Sequence, residues 1–337
     1  MLQPRTICIA GASGLAGAYA LRAALAAGHH VRATVRDLRR AEQLYRLPGA
    51  TERLRLFEAR TETPESFAAP LAGAEALVLA CFPTPRRGLN GEPISALTPE
   101  RAWREVVTPS QTACRAILER AARAGVATAV LCSSTASAAP EPAPPVLQES
   151  DVSSLRAQRA AGKVMQAQKT AMEEAARAVA DQSGLRLVVL LSSMMVAPPL
   201  MPWHLEGHGL GFLAGLAGGR PGWHARVPEG AMSLTHPADL AGCILRAIAT
   251  PEVAGRYFTL SDSWTWARIY QEIARYVPPA ALPAPNAAPP ALPTVYDFKR
   301  RDSLKVAFTP IPQMLRTFFE SLPAATALAG PCRTPEA

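Results

Sequence analysis

Short apolar runs alternate with helix-length amphipathic segments through roughly the first 200 residues of the chain. Thr6–Ala10, Val31–Val35, Leu54–Glu58, Ala76–Ala80, Thr128–Cys132 and Arg186–Leu191 read as strands. Leu15–Ala27, Trp103–Ala124 and Gly162–Ser183 read as helices between them. Alternation of this kind predicts an α/β fold, a parallel sheet covered by helices on both faces and joined by right-handed crossovers. No repeat of solenoid period is visible.

Two Pro- and Ala-rich stretches break the rhythm. Ala138–Pro145 follows a strand and leads into the polar segment Glu149–Arg159, and Pro278–Pro293 reads as an extended connector. After the connector, Ile311, Met314, Leu315, Phe318, Phe319 and Leu322 follow helical spacing and predict a closing amphipathic helix docked on the body. Residues 326–337 are expected to fray.

The bulk composition narrows the class. A chain of 337 residues with 49% apolar content suits a soluble globular protein, either one large domain or a main domain with a smaller lobe. No apolar run approaches the ~18 residues of a membrane span, and no charged-then-apolar leader precedes the first strand. Six scattered cysteines (Cys8, Cys81, Cys114, Cys132, Cys243 and Cys332) form no C-x-x-C pair. Free thiols in a reducing cytoplasm are expected. The net charge of +8 comes from arginines spread along the chain, with no basic run interleaved with aromatics, so no nucleic-acid partner is expected. Lysine is scarce. Only Lys163, Lys169, Lys299 and Lys305 occur, which gives weight to a lysine found in a motif.

The loop Gly11-Ala12-Ser13-Gly14-Leu15-Ala16-Gly17 follows the first strand and opens the first helix. Glycines spaced by three let the chain turn sharply, bring backbone N–H groups to a pyrophosphate and seat the helix on the sheet. A dinucleotide cofactor is the expected ligand. The second strand runs into Arg36, with Arg39 and Arg40 close behind. Guanidinium groups suit a 2′-phosphate, so NADP(H) is favoured, whereas Asp37 in the ribose-binding role would favour NAD(H).

With these residues in place, the chain resembles the extended short-chain dehydrogenases/reductases, in particular the dihydroflavonol reductase and cinnamoyl-CoA reductase-like branch. The resemblance spans roughly residues 5–275. It rests on Gly11-x-x-Gly14-x-x-Gly17, on Val31–Asp37, and on Val130-Leu-Cys-Ser-Ser134-Thr135 after the fifth strand. Lys169-Thr-Ala-Met-Glu173, Thr235-His236-Pro-Ala-Asp239 and Gly255-Arg256-Tyr257 extend it. The resemblance implies a Rossmann core, mainly residues 1–190, and a substrate lobe, mainly residues 191–325, with some elements returning to the core. It also implies reversible hydride transfer to a carbonyl. Carried over by position, Ser134 would bond the substrate oxygen and Lys169 the nicotinamide ribose. Cys81 and Phe82 would form a cofactor-facing turn, and Pro198 would retain part of a second one.

One position breaks the pattern. The family carries Tyr-x-x-x-Lys, and this chain reads Met165-Gln166-Ala167-Gln168-Lys169. No tyrosine lies between Tyr45 and Tyr257, so no shift of register restores the missing proton donor. A thioether has no proton to give. Arg60 and Ser192 also stand where similar proteins often place an aspartate and a proline.

A positioned acid contributes ~10²–10⁴-fold to such chemistry, so another group must supply the proton if reduction survives. His204 and His208, in Trp203-His204-Leu-Glu206-Gly-His208, are the candidates. Their order is not H-E-x-x-H and Gly207, Gly209 and Gly211 weaken a helix there, so no metal is expected. His236 and Asp239 are assigned to capping or packing. Three functions remain open. One is an NADP(H)-dependent reductase or dehydrogenase of a small organic carbonyl or alcohol. The second is a redox-neutral cyclase, isomerase or lyase on the same scaffold, and the third a non-catalytic NADP-binding sensor. The expected partner is a small molecule, and the chain is read as a monomer or homodimer.

Overall fold

The computed structural model describes residues 3–329 apart from Thr84, Arg86, Pro289 and Pro290; the side chains of His208 and residues 324–329 also lie outside the description. Each strand expected from the apolar runs forms, within about two residues at either end. In chain order the first elements are β1 (Thr6–Ala10), α1 (Leu15–Ala26), β2 (His30–Val35), β3 (Leu54–Glu58) and β4 (Ala76–Leu79). They are followed by α2 (Thr108–Arg123), β5 (Thr128–Ser134), α3 (Val164–Ser183) and β6 (Arg186–Ser192). A π turn, Trp103–Val107, leads into α2.

Next come β7 (Met194–Met195), α4 (His208–Ala217), β8 (Ala231–Thr235) and α5 (Pro237–Ala249). The chain continues through β9 (Gly255–Phe258), β10 (Asp262–Thr265), α6 (Trp266–Ile273) and α7 (Ile311–Ala329). Residues 330–337, most of the segment expected to fray, lie outside the described residues.

One sheet holds seven parallel strands in the order β3-β2-β1-β4-β5-β6-β9. Its central strands are buried on both faces, so they are apolar throughout rather than alternating; β4 is buried at every residue. Ile7, Ile9, Leu77 and Leu79 lie fully buried, as does Ile117 of α2. The order reverses between β1 and β4, and this switch point opens a crevice at the C-terminal strand ends. α2 and α3 lie against one another, with Val107, Ala167 and Ala171 forming a small buried cluster under Trp103, Leu155 and Val164.

The chain divides into two compact units. The first joins Met1–Ser192, Leu240–Thr259 and Tyr296–Val306 and holds the seven-stranded sheet. The second joins Ser193–Asp239, Leu260–Val295 and Ala307–Ala337 and holds a three-stranded sheet in the order β10-β8-β7. Within the second unit Phe212 stacks on Trp223 at 3.9 Å, and His224 Nδ1 lies 2.9 Å from Tyr270 Oη. α4 forms despite its glycines. A Cβ on Gly211 would fall 2.6 Å from Leu205 O, so the glycine allows the preceding turn to press on the helix. Among the described residues no helix is long and apolar enough to cross a membrane.

Candidate active site

The site begins where β1 ends. Gly11 and Ala12 N–H both donate to Thr34 O, at 3.2 and 3.0 Å, which ties the glycine loop to the end of β2. Gly11 has φ +83°, and a Cβ there would fall 2.7 Å from both Ala80 O and Cys81 Cα, so only glycine lets the loop lie on the end of β4. Gly17 faces the loop from inside α1, where a Cβ would lie 2.2 Å from Gly11 O. Leu15 opens α1, whose N-cap Gly14 is extended and has no side chain to take up first-turn N–H groups. This is the arrangement an anion needs at the positive end of a helix.

Gly11, Ser13 and Gly14 line a cavity of about 440 Å³, within the ~300–1,000 Å³ range of ligand clefts. At the β2 end it is walled by Thr34, Val35, Arg36, Ala59 and Phe67. At the β4 end it is walled by Cys81, Phe82, Pro83, Ser110 and Gln168. Asp37, the alternative cofactor discriminator, caps the turn that follows β2. One carboxylate oxygen accepts from Arg40 N–H at 3.1 Å. Arg60, exposed at the same corner, donates to Arg36 O at 2.8 Å and pairs with Glu58 at 3.2 Å. Glu62 also lines the cavity. Loop and helix start together fit the pyrophosphate of a dinucleotide cofactor.

Lys169 reaches the back of the β4 turn, its Nζ donating to Phe82 O at 2.6 Å. Burial pushes the lysine down to about 8. Cys114 and Cys132 are pushed up to about 12 and Cys81 is raised likewise, so the neighbouring thiols stay neutral and give little counter-charge. Ser134 Oγ accepts from Ala136 N–H at 3.2 Å, which leaves the hydroxyl proton for another acceptor. Met165, one turn before Lys169, is 41% exposed.

A buried ionic node fixes this geometry. Glu173, one turn beyond Lys169, accepts from the hydroxyls of Ser133 and Ser137. Its other carboxylate oxygen lies 3.0 Å from Arg256 Nε of β9, and the two side chains are 2% and 9% exposed. Arg256 also donates to Ser137 O at 2.9 Å, to Glu149 O at 2.7 Å and to Asp151 O. Ser137 Oγ is 2.7 Å from Ser134 O, and Ser192 Oγ donates to Ser133 O at 2.8 Å. The last bond gives a reason for serine at 192, since proline has no donor to offer β5.

Of the residues singled out from sequence, Gly11, Ser13, Gly14, Arg36, Cys81 and Phe82 share the cavity wall. Arg40 lies on the following turn; Lys169 on α3 and Ser134 on β5 are not among the lining residues, and Lys169 is bonded to one of them, Phe82. Pro198 and His204 belong to the second unit. His204 is buried and its Nδ1 accepts from Leu200 N–H at 3.3 Å. The side chain of His208 lies outside the described residues. His236 and Asp239 serve the start of α5: His236 Nδ1 accepts from Ala238 N–H, and Asp239 accepts from Thr309 N–H at 2.7 Å. Among the described residues no three metal-ligating side chains cluster. Sequence reasoning missed Gln168, Ser110, Glu173 and Arg256 as parts of the site; a polar residue on a helix reads as solvated until its tertiary partner is known.

The switch-point crevice and glycine loop define an NAD(P)H-binding Rossmann protein, and a family model described as NAD(P)H-binding matches residues 11–177. Dihydroflavonol 4-reductase of Zea mays is 30% identical over 271 residues, covering 77% of this chain and 71% of that one. Cinnamoyl-CoA reductase 1 of Oryza sativa subsp. japonica is 25% identical over 93% of this chain and 89% of its own. The chain belongs to the extended short-chain dehydrogenase/reductase family, with dihydroflavonol and cinnamoyl-CoA reductases among its relatives. Among solved structures, Gre2 of Candida albicans in complex with NADPH superposes with a TM-score of 0.79 at 17% identity, covering 96% of this chain and 99% of that one. Vestitone reductase from alfalfa (Medicago sativa) superposes at 0.71 and 19% identity, over 96% and 99%. At such identity these two show the fold alone.

Proposed function

We propose that the protein is an NADP(H)-dependent reductase of a small organic carbonyl, with its proton-delivery step altered by methionine at position 165. The observation that carries this reading is the Lys169 ammonium, desolvated and bonded to Phe82 O where the β4 turn walls the cavity that the glycine loop also lines. A sensor that only holds the cofactor could use Lys169 on the ribose but would have no need of Ser134, whose role by resemblance is to bond a substrate oxygen. The relatives named above are reductases, which supports the same class.

The cofactor would supply hydride. The glycine-loop N–H groups and the α1 dipole would hold its pyrophosphate, and Arg36 its 2′-phosphate. Asp37 is engaged as a cap and Glu58 is paired with Arg60, which leaves Arg36 as the basic group on the cavity wall at that end, with Glu62 an acid on the same lining. Ser134 Oγ–H would donate to the substrate oxygen and orient it. Lys169 Nζ, lowered to about 8, would hold the proton that the oxygen must receive and pass it on directly or through water. The exposed methionine supports a second reading, in which net reduction is suppressed and the same pocket runs redox-neutral chemistry.

Titration with NADPH and NADH, followed by a screen of aromatic and aliphatic carbonyls for loss of NADPH absorbance, tests both. Tighter NADPH binding with substrate-dependent oxidation is the expected result. Tight binding without oxidation of any carbonyl would overturn reduction in favour of the second reading. Failure to bind either nucleotide would overturn both.

A further inference from the structure

Gln168 sits between α3, α2 and the β4 turn and is 2% exposed. Its Nε2 donates to Ser110 Oγ at 2.8 Å and to Pro83 O at 3.3 Å. A backbone carbonyl is an acceptor only, so the amide nitrogen must face Pro83 and the orientation of the group is fixed. The amide oxygen then points away from both contacts and has no hydrogen-bond partner among the described residues. The residue also lines the cavity. An acceptor buried without a donor is a standing cost unless a molecule in the cavity supplies one.

Topology says which part of a dinucleotide that would be. Arg36 stands at the end of β2, the glycine loop at β1, and Cys81–Pro83 at β4, in the sheet order β2-β1-β4-β5. Adenosine belongs at β2 and pyrophosphate at the β1 loop, so the second nucleoside extends over β4 and β5. Gln168 is bonded to the β4 turn, one carbonyl beyond the one that Lys169 holds. We propose that Gln168 is a binding residue for the nicotinamide-ribose half of the cofactor, its amide oxygen accepting a hydrogen bond from a donor on that half. This rests on the cofactor reading above and names a contact within it.

The test compares two ligands, NADPH and adenosine 2′,5′-bisphosphate, which lacks the second nucleoside. Gln168→Met removes the acceptor at nearly constant volume. Gln168→Asn keeps the amide but withdraws it by one methylene. For both variants, fluorescence titration is expected to show NADPH affinity reduced about 10-fold, the order of one hydrogen bond. Adenosine 2′,5′-bisphosphate is expected to bind within about twofold of wild type, which also certifies the fold. Unchanged NADPH affinity in both variants would overturn the inference, and so would an equal loss for the two ligands. Wild-type protein that binds neither ligand would overturn the cofactor reading and this contact with it.

Discussion

Replacing Arg256 by methionine tests whether the buried node holds β5, α3 and β9 in one geometry. The change leaves Glu173, 2% exposed, without its counter-ion. Removing one partner of a buried pair costs about 3–5 kcal/mol. Three backbone carbonyls, of Ser137, Glu149 and Asp151, lose their guanidinium donor as well, and of these Ser137 O keeps Ser153 N–H at 2.9 Å. Each buried acceptor so orphaned costs about 1–3 kcal/mol where water cannot reach it. These terms overlap, and a net loss on the order of 5 kcal/mol is expected, comparable with the ~5–15 kcal/mol of a typical domain.

Glu173→Gln should cost less, about 1–3 kcal/mol, because an amide oxygen still accepts from Ser133 or Ser137 and the stranded Arg256 keeps its three carbonyl acceptors. Added to a chain that already carries Glu173→Gln, Arg256→Met should become milder by at least ~1.5 kcal/mol, since no carboxylate is stranded. Urea unfolding followed by circular dichroism and tryptophan fluorescence measures each loss. Coincidence of the two probes checks that one transition is being read. A loss under ~1 kcal/mol for Arg256→Met, or additivity of the two substitutions within ~0.5 kcal/mol, would refute the reasoning.

Two further outcomes follow from the site. Met165→Tyr returns a phenolic proton one turn before Lys169, and carbonyl reduction by the variant should rise by ~10²-fold or more; no gain with intact NADPH binding would mean that the absent acid is not the main barrier. Lys169 titrates at about 8 in the folded chain against its usual 10.5, so the unfolded chain binds that proton more tightly. Its destabilising effect is therefore full below about pH 8 and fades as pH rises toward about 10.5. The stability difference between wild type and Lys169→Met should shift toward wild type by on the order of 3 kcal/mol from about pH 7 to about pH 11. Parallel pH profiles for the two proteins would count against a buried charge, and reductase activity is expected to decline through about pH 8 as the ammonium is lost.

The main sheet was legible because parallel strands buried on both faces are short apolar runs with little alternation, as in Ala76–Leu79. The glycine loop was legible because its job depends on local geometry, and Gly11 and Gly17 meet backbone atoms that no side chain could clear. The three-stranded sheet left little trace. β7 has two residues, and its partner β8 begins at Ala231, across a long stretch of chain. Gln168 and Glu173 were opaque for a different reason. On a helix they resemble any polar surface residue, and only the arrival of Ser110 in one case and Arg256 in the other turns them into buried groups.

That dependence on a late residue bears on synthesis. The seventh strand of the sheet is delivered by Gly255–Phe258, after the chain has left the first unit at Ser192 and returned at Leu240. At ~5–20 residues per second, translation needs about 3–13 s to pass from Ser192 to Phe258. During that interval β6 is an edge with open backbone groups, and Glu173 faces inward with no cation to meet it. The nascent Rossmann unit must therefore wait, unclosed on one side, and that waiting edge is where a chaperone would find this chain and where crowding would make it aggregate.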